Sequence, residues 1–341
     1  RYLYYAGRDK KFFNNCYLLK AEEDTREDWA DLSWKSESCL MTGGGIGVDY
    51  SIYRSEGQTL KGTGGVASGP IPKMQMINSI GQKVMQGGSR RSAIYASLNW
   101  KHDDVEKFLT SKNWFDMPVG STGKTLFDIK QEDFNFPAPL DMTNISVNYD
   151  TEWLLNYWAL RTGEPGFSFN FFEKENETLR YPYTEVSSED DSDVCNLGSL
   201  NFARIDDLNQ LQEVVQLATK FLLCGTLRAT LPYEKVYKVR DSNRRLGLGL
   251  MGLHEWLIQR GHKYETTPEL HRWFKVYEAE SDKVARSFAN KLNISIPVAV
   301  RAVAPTGTIG ILGGTSTGVE PIFAVAYKRR YLKNKRWHYQ Y

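Results

Sequence analysis

Short runs of β-type residues alternate with helical patterns along most of this 341-residue chain. Such alternation favours a mainly parallel sheet, because two parallel strands need a crossover connection that is usually a helix. The predicted strands are 16–19, 92–99, 144–149, 167–172, 200–205 and 298–303, and the predicted helices are 25–39, 104–109, 152–161, 207–223 and 267–292. The sequence therefore predicts an α/β fold. Residues 111–141, rich in Pro and Gly, are predicted to be irregular, as either a long functional loop or a mobile one, and the acidic stretch 185–193 is predicted to be an exposed loop.

Composition limits the classes of function. Hydrophobic residues make up 41% of the chain, charged residues 25%, and the net charge is +2. These values are typical of an ordinary globular protein and lack the basic excess of a nucleic-acid binder, so nucleic acid is not an expected partner. No apolar run approaches the roughly 18 residues of a membrane span, and no signal peptide opens the chain. We therefore expect a cytoplasmic protein with no membrane partner.

Cysteine and histidine spacing argues against a disulfide scaffold and a structural metal. The four cysteines, Cys16, Cys39, Cys195 and Cys224, include no Cys-x-x-Cys pair, and the five histidines are scattered. We expect reduced thiols and no metal site. The chain opens at Arg1 with residues that read as the interior of a fold, so we expect a fragment of a longer protein.

Two glycine-rich segments have the composition of nucleotide loops without the spacing. Residues 120–125 (GSTGKT) are two residues short of a phosphate loop, so an ATPase built on Lys124 is a weak hypothesis. Residues 43–47 (GGGIG) fail the dinucleotide pattern at Val48. We interpret them as a strand end where the backbone passes close to another group.

Eight segments follow the order of one known family. They are residues 13–19 (FNNCYLL), 38–47 (SCLMTGGGIG), 86–93 (QGGSRRSA), 141–148 (DMTNISVN), 179–185 (LRYPYTE), 193–199 (DVCNLGS), 304–310 (APTGTIG) and 318–323 (GVEPIF). Together they resemble the catalytic chain of ribonucleotide reductases, and their amino-acid sequences are most similar to those of the adenosylcobalamin-dependent class. The resemblance covers nearly the whole chain.

The resemblance implies a ten-stranded α/β barrel of the ribonucleotide reductase/glycyl-radical type, incomplete in this fragment. Residues 1–341 would form a single catalytic barrel domain, with 179–195 as the reaction-site loop and a specificity loop inside the irregular region 111–141. Adenosylcobalamin would be the cofactor. The substrates would be ribonucleotides, as diphosphates, and the products 2′-deoxyribonucleotides.

The family's chemistry needs a thiyl radical, a base and a dithiol that supplies two electrons. By resemblance, Cys16 and Cys195 would be the dithiol that becomes a disulfide, and Glu185 would be the base. Taken alone, Cys16 also fits a buried inert thiol, and Glu185 also fits a solvated loop carboxylate. Only the surrounding motifs favour the functional reading.

The reaction-site loop departs from the family pattern at two positions. The family reads Asn-x-Cys-x-Glu, whereas this chain has Tyr181 at the Asn position and Tyr183 at the radical-Cys position. The oxygen of Tyr183 would lie beyond a rigid ring, in a site that demands near-contact geometry. We therefore expect this chain to bind nucleotides without reducing them.

Substrate contacts are implied at two places. Asn15 and Gly45 are substrate-side positions by resemblance. The residues expected to bind phosphate are 305–309, that is Pro305, Thr306, Gly307, Thr308 and Ile309. A strand is expected to end there and a helix to begin, and the first turn of that helix would offer backbone N–H groups to an anion. An ordinary turn capped by Thr306 or Thr308 is the structural alternative.

An effector site and two partners are also implied. Asp24 would contact the ribose and Arg54 the phosphate of a deoxynucleotide or ATP effector at a homodimer interface. Asp24 could instead cap the helix that starts at Thr25, and Arg54 could lie on a solvated turn. A thioredoxin-type reductant would act through a C-terminal tail that this fragment lacks.

Three explanations of the altered loop stay open. The chain could be an inactivated reductase, a relative that has turned to nucleotide binding or another reaction, or a sequence altered by construction. A non-catalytic nucleotide-binding or regulatory protein on the same barrel is the alternative function.

Overall fold

The computed structural model describes residues 2–84, 92–149, 162–170, 176–333 and 336–341. The strands are β1 (Cys16–Lys20), β2 (Gly45–Asp49), β3 (Ile94–Asn99), β4 (Thr143–Tyr149), β5 (Gly166–Phe169), β6 (Leu179–Arg180), β7 (Ser187–Ser188), β8 (Asp193–Asn201), β9 (Leu246–Met251), β10 (Arg329–Lys333) and β11 (Arg336–Gln340). The α-helices are α1 (Tyr2–Tyr5), α2 (Arg26–Met41), α3 (Pro70–Lys83), α4 (Val105–Thr110), α5 (Leu126–Glu132), α6 (Leu208–Arg228), α7 (Glu234–Asn243), α8 (Leu253–Gln259), α9 (Pro268–Leu292) and α10 (Gly307–Gly313).

The chain forms two compact units. The first comprises Arg1–Tyr17, Tyr183–Val186 and Ser192–Phe323, and the second comprises Leu18–Pro182, Ser187–Asp191 and Ala324–Tyr341. In the second unit the strand order is β5-β4-β3-β2-β1, and β2 to β5 are paired in parallel. In the first unit β8 pairs in parallel with β9 and neighbours β1, whose first two residues belong to this unit. The predicted parallel α/β sheet is confirmed.

The first unit packs its helices around a single apolar core. Helix α6 begins at the N-cap Asp207, whose side chain accepts a hydrogen bond from the backbone of Gln210 at 2.9 Å. Helix α9 begins as predicted, with Thr267 as the cap and Pro268 in the first turn. The core is built from the apolar faces of α6, α8 and α9 and from β8 and β9, and includes Leu211, Val215, Leu222, Leu246, Leu248, Leu250, Trp256 and Trp273.

Several element predictions are confirmed and others are wrong. The strands near 16–19, 92–99 and 144–149 and the helices near 25–39, 104–109, 207–223 and 267–292 are present. The strand predicted at 200–205 is wrong, because β8 ends at Asn201 and a 3-10 turn follows at Phe202–Arg204. Residues 298–303 form no regular strand, although the carbonyl of Ala299 accepts a hydrogen bond from the backbone of Leu246 in β9. The predicted helix 152–161 and the end of the predicted strand 167–172 lie outside the described residues.

Two loop predictions also need correction. The region 111–141 contains a 3-10 turn, Trp114–Asp116, and the helix α5, which starts in a capping box at Thr125. The acidic stretch 185–193 is not uniformly exposed. Asp191 is buried beside Lys35, 3.1 Å away, and Asp193 is buried beside Arg245, 2.9 Å away, since a buried carboxylate needs a cationic or hydrogen-bonding partner.

Within the described ranges, every helix is too short or too polar to cross a bilayer.

Candidate active site

Cys195 lies inside the first unit, on strand β8. Its side chain is fully buried, and its sulfur lies against the backbone of Gly247 on the neighbouring strand β9. A Cβ added at Gly247 would meet Cys195 Sγ at 3.1 Å, Ala302 Cβ at 3.1 Å and a methyl of Leu197 at 2.4 Å. Glycine at 247 therefore leaves the space that the thiol occupies.

Cys16 and Glu185 lie within electrostatic range of this thiol. Burial raises the pKa of Cys195 well above its ordinary value, the cation of Arg245 opposes that rise, and the charges of Asp193, Glu185 and Cys16 add to it. Cys16 is itself buried, at the start of β1. The structure thus brings together, in one unit, the three residues that the motifs single out.

The Glu185 side chain is half-buried, and its Oε2 atom is shielded from solvent. Burial raises its pKa to about 7, and hydrogen bonds from the backbone of Glu185 and Tyr183 partly oppose the rise. Among the described residues, its Oε2 has no hydrogen-bond partner. A carboxyl that titrates near neutrality can take or give a proton at physiological pH, which is the property required of a general base or acid. The alternative of a solvated loop carboxylate is wrong.

Replacing Glu185 by glutamine is expected to remove a pH dependence of stability. The folded-state pKa of about 7 exceeds the ordinary value of 4.5, so the folded protein holds this proton more tightly than the unfolded chain. In the wild type this contribution, at most about 3 kcal/mol, is complete below pH 4.5 and is lost as pH rises through 7. The free energy of unfolding in urea, measured from pH 4.5 to 8, should fall more steeply with pH in the wild type than in Glu185→Gln. The exposed Glu265→Gln variant is the control, and equal slopes in all three proteins would contradict the assignment.

Sequence reasoning missed two buried polar groups of the first unit, Asp193 and Asn14. Asp193 accepts hydrogen bonds from Asn243 at 3.1 Å and Arg245 at 2.9 Å, which places a cation near Cys195. Asn14 is fully buried, and neither of its side-chain polar atoms has a hydrogen-bond partner in the described part of the chain. Asn14 lies within the motif 13–19, two residues before Cys16, and that motif was the signal that could have found it. Asn15, the predicted substrate-side residue, is only half-buried.

The reaction-site loop is divided between the two units. In the first unit Tyr183 is exposed over 53% of its surface, and Thr184 follows in the left-handed backbone region, with φ of 62°. In the second unit Tyr181 is fully buried, and the side-chain amide of Asn144 donates to the carbonyl of Pro182 at 3.2 Å. Of the two tyrosines that depart from the family pattern, Tyr181 is thus buried and Tyr183 exposed. Gly45, a predicted substrate-side residue, is buried in the second unit.

Residues 305–309 connect the Cys195 region to helix α10. Three residues before Pro305, Ala302 lies beside the Cys195 sulfur across Gly247. Thr306 has a left-handed backbone with φ of 55°, and its hydroxyl accepts from the backbone of Gly318 at 2.6 Å. Thr306 makes no side-chain cap, so the capping alternative is wrong for that residue. The backbone N–H groups of Gly307, Thr308 and Ile309 open the helix and have no acceptor within it.

The predicted effector residues meet each other in the second unit. Arg54 forms an ion pair with Asp24, and its guanidinium also donates to the backbone carbonyl of Asp24 at 2.9 Å. The helix cap is Thr25, so the alternative of Asp24 as the N-cap is wrong. Both side chains are partly exposed, and a ligand could reach them. Whether they bind an effector stays a prediction.

The two glycine-rich segments that lack the spacing of nucleotide loops, 120–125 and 43–47, take structural roles. Lys124, in the false phosphate loop, pairs with Glu132 at 2.5 Å on the surface. Among the residues that the structure describes, no three His, Cys, Asp or Glu side chains are grouped so that they could hold a metal ion. Gly47, at the end of the segment 43–47, lies against the backbone of Arg180. A Cβ added at Gly47 would lie 1.6 Å from the carbonyl oxygen of Arg180.

Comparison with known proteins agrees with this fold. The family model described as ribonucleotide reductase, barrel domain, matches residues 14–116 and 177–278, and the chain belongs to that family. A class Id ribonucleotide reductase alpha subunit from Actinobacillus ureae has a similar fold, with a TM-score of 0.72 at 16% identity, over 93% of this chain and 64% of that one. The expected barrel fold class is confirmed.

Several similar proteins carry the names of cobalamin-dependent enzymes. A Mycobacterium phage D29 protein, provisionally named an adenosylcobalamin-dependent ribonucleoside-triphosphate reductase, is 30% identical over 90% of this chain and 52% of its own length. The vitamin B12-dependent ribonucleoside-diphosphate reductase of Thermoplasma acidophilum is 27% identical over 97% of this chain and 48% of its own length. The chain spans about half the length of these relatives.

Proposed function

We propose that this chain binds ribonucleotides, as diphosphates, at a reductase-type site that retains the dithiol and the base but lacks the radical thiol. One observation carries the proposal: Cys16 and Glu185 lie near enough to the buried Cys195 thiol for their charges to raise its pKa. A buried pair of thiols beside a carboxyl whose pKa is near 7 suits a reduction in which protons and electrons move together.

Cys16, Cys195 and Glu185 would supply the electrons and the protons that the reduction needs. The Cys16 and Cys195 thiols would give two electrons and two protons and join as a disulfide. The substrate would lose its 2′-hydroxyl as water and gain one hydrogen at the same carbon. Glu185 would accept the 3′-hydroxyl proton and later return it, which its pKa of about 7 allows.

The residue at position 183 does not fit the cofactor named for the relatives. Adenosylcobalamin supplies organic radical chemistry when it is bound. The family uses a cysteine thiol at the position of Tyr183 to carry the radical to the substrate, and a phenol here offers neither the sulfur nor its near-contact position. The proposed function of the chain as it stands is therefore nucleotide binding without turnover.

Binding of the substrate and of other partners forms part of the same proposal. Asn15, Gly45 and the N–H groups of residues 307–309 would contact the substrate, and the latter would hold its phosphates. Asp24 and Arg54 would bind a deoxynucleotide or ATP effector at a homodimer interface. A thioredoxin-type protein would reduce the Cys16–Cys195 disulfide.

Mild oxidation tests whether the two buried cysteines form the dithiol. Treating the native protein with diamide should join Cys16 to Cys195, detected as a disulfide-linked peptide pair by mass spectrometry. Cys39, buried in helix α2, and Cys224, exposed on helix α6, serve as internal controls. Pairing of either control cysteine in place of Cys16 or Cys195, or no disulfide at all, would contradict the dithiol.

Equilibrium dialysis tests the binding half of the proposal. Radiolabelled ribonucleoside diphosphate should bind with a dissociation constant between about 1 μM and 1 mM, the usual range for substrates. Oxidised protein and Cys195→Ser should still bind, because the dithiol reacts with the sugar and does not hold the phosphates. No binding at millimolar ligand would overturn the proposed function.

A further inference from the structure

The last strands of the chain carry a concentrated positive charge. Residues 321–341 contain six of the 43 Lys and Arg residues and none of the 41 Asp and Glu residues. This segment therefore has a charge of +6, and the other 320 residues have a charge of −4. The net charge of +2 thus conceals a strongly basic segment on an otherwise acidic protein.

The basic segment forms a two-stranded antiparallel hairpin. Strands β10 and β11 pair from Arg329 opposite Gln340 to Lys333 opposite Arg336. We call β10 and β11, with the flanking Lys328 and Tyr341, the basic hairpin. Its aromatic rings are exposed to solvent, from 38% at Tyr331 and 41% at Trp337 to 91% at Tyr341.

One face of the basic hairpin alternates cations with flat rings. Residues two apart on a strand share a face and lie about 6.8 Å apart along it. Trp337, Tyr339 and Tyr341 therefore form a row of rings on β11. The Lys328 ammonium lies 4.4 Å from the ring centre of Tyr339, and the Arg330 guanidinium lies 4.3 Å from that of Trp337. Cations are thus held between the rings by cation–π contacts.

The opposite face has the same character with fewer rings. Tyr331 stacks on His338 at 5.4 Å between ring centres, and the Arg329 guanidinium lies 5.8 Å from the Tyr331 ring. Both faces are therefore cationic and aromatic. A hairpin that inserts into a lipid surface would instead need one apolar face, opposite a charged one.

We propose that the basic hairpin is a binding surface for single-stranded nucleic acid. Phosphates would be attracted by a segment of +6 that contains no carboxylate to repel them. Unpaired bases would stack on the exposed rings, which every base can do because each has a π-face. This proposal differs from the expectation, drawn from the net charge of the whole chain, that nucleic acid is not a partner.

Fluorescence anisotropy of the whole chain with a labelled oligothymidylate of about 20 nucleotides tests the surface. Binding should be measurable at about 50 mM salt and should weaken with a slope of roughly −3 in log K against log salt, as expected for about four phosphate contacts. Trp337→Ala combined with Tyr339→Ala should weaken binding at least about tenfold, whereas Trp337→Phe combined with Tyr339→Phe should retain it. Arg329→Gln combined with Arg330→Gln should weaken binding and make the salt slope shallower.

Matched controls separate this surface from general charge attraction. Lys220→Gln removes an exposed cation on helix α6, and Trp34→Ala removes an exposed ring on helix α2. Neither should change the affinity. The proposal is overturned if these controls weaken binding as much as the hairpin variants do, or if the alanine pair at 337 and 339 has no effect. It is also overturned if a duplex of the same length binds as tightly, or if only phosphatidylserine vesicles bind.

Discussion

Replacing Gly47 by alanine is expected to destabilise the second unit by about 4 kcal/mol or more. The new Cβ would lie 1.6 Å from the carbonyl oxygen of Arg180 and 2.8 Å from its carbonyl carbon. The obstacle is backbone, so no change of side-chain rotamer can relieve the clash. Strand β2 is buried and paired with β3, so it cannot move without disturbing the sheet.

The urea midpoint and slope of unfolding measure the effect of this substitution. Gly62→Ala is the matched control, because an added Cβ there would meet nothing within 4 Å. The control should unfold near the wild-type midpoint. A midpoint for Gly47→Ala within experimental error of the wild type would show that Arg180 does not lie against β2.

The contact at Gly47 shows how far the sequence could lead. The glycine-rich segment 43–47, interpreted as a strand end, indicated that the backbone passes close to another group. It could not identify the group as Arg180, because a contact between residues so distant in sequence leaves no local pattern. The same contact fixes the residue just before Tyr181, so a glycine far along the chain helps to position the altered loop.

Strands were predicted where apolar and β-branched residues dominate, and missed where glycine does. Strand β9 (LGLGLM) was not predicted, although it lies beside Cys195 and its two glycines leave room for Cys195 and Ala302. The predicted strand began at residue 200, whereas β8 begins at Asp193. Its first residues, Asp193 to Asn196, are fully buried, and a strand buried on both faces shows no alternation of polar and apolar residues.

Charged residues of the acidic stretch 185–193 were the hardest to interpret. Glu185, Asp191 and Asp193 read as one solvated acidic loop, because exposed carboxylates are the rule. The structure buries Asp191 beside Lys35 and Asp193 beside Arg245, and these partners come from distant helices and strand ends. Motif resemblance selected Glu185 and Cys195 as candidate site residues, but only three-dimensional packing accounts for the rise of the Glu185 pKa to about 7.

Restoring a thiol in the altered loop is expected to have the largest effect on activity. The Tyr181→Asn, Tyr183→Cys double variant should form deoxynucleotide from ribonucleotide, adenosylcobalamin and a dithiol at least about a hundredfold faster than the wild type, for which we expect no turnover. The reason is geometric and chemical, since the substrate needs a sulfur at near-contact distance and the wild type presents an exposed phenol there. Product is measured by chromatography of the labelled nucleotide.

Single variants separate the two positions. Tyr183→Cys alone should recover part of the turnover, and Tyr181→Asn alone none, because only position 183 supplies the hydrogen abstractor. Adding Cys195→Ser to the active variant should abolish product while leaving nucleotide binding intact, since in the proposed function Cys16 and Cys195 supply the electrons. Turnover by the wild type at the rate of the double variant would refute the view that Tyr183 blocks the reaction. An inactive double variant that still binds nucleotide would show that the two tyrosines are not what prevents reduction.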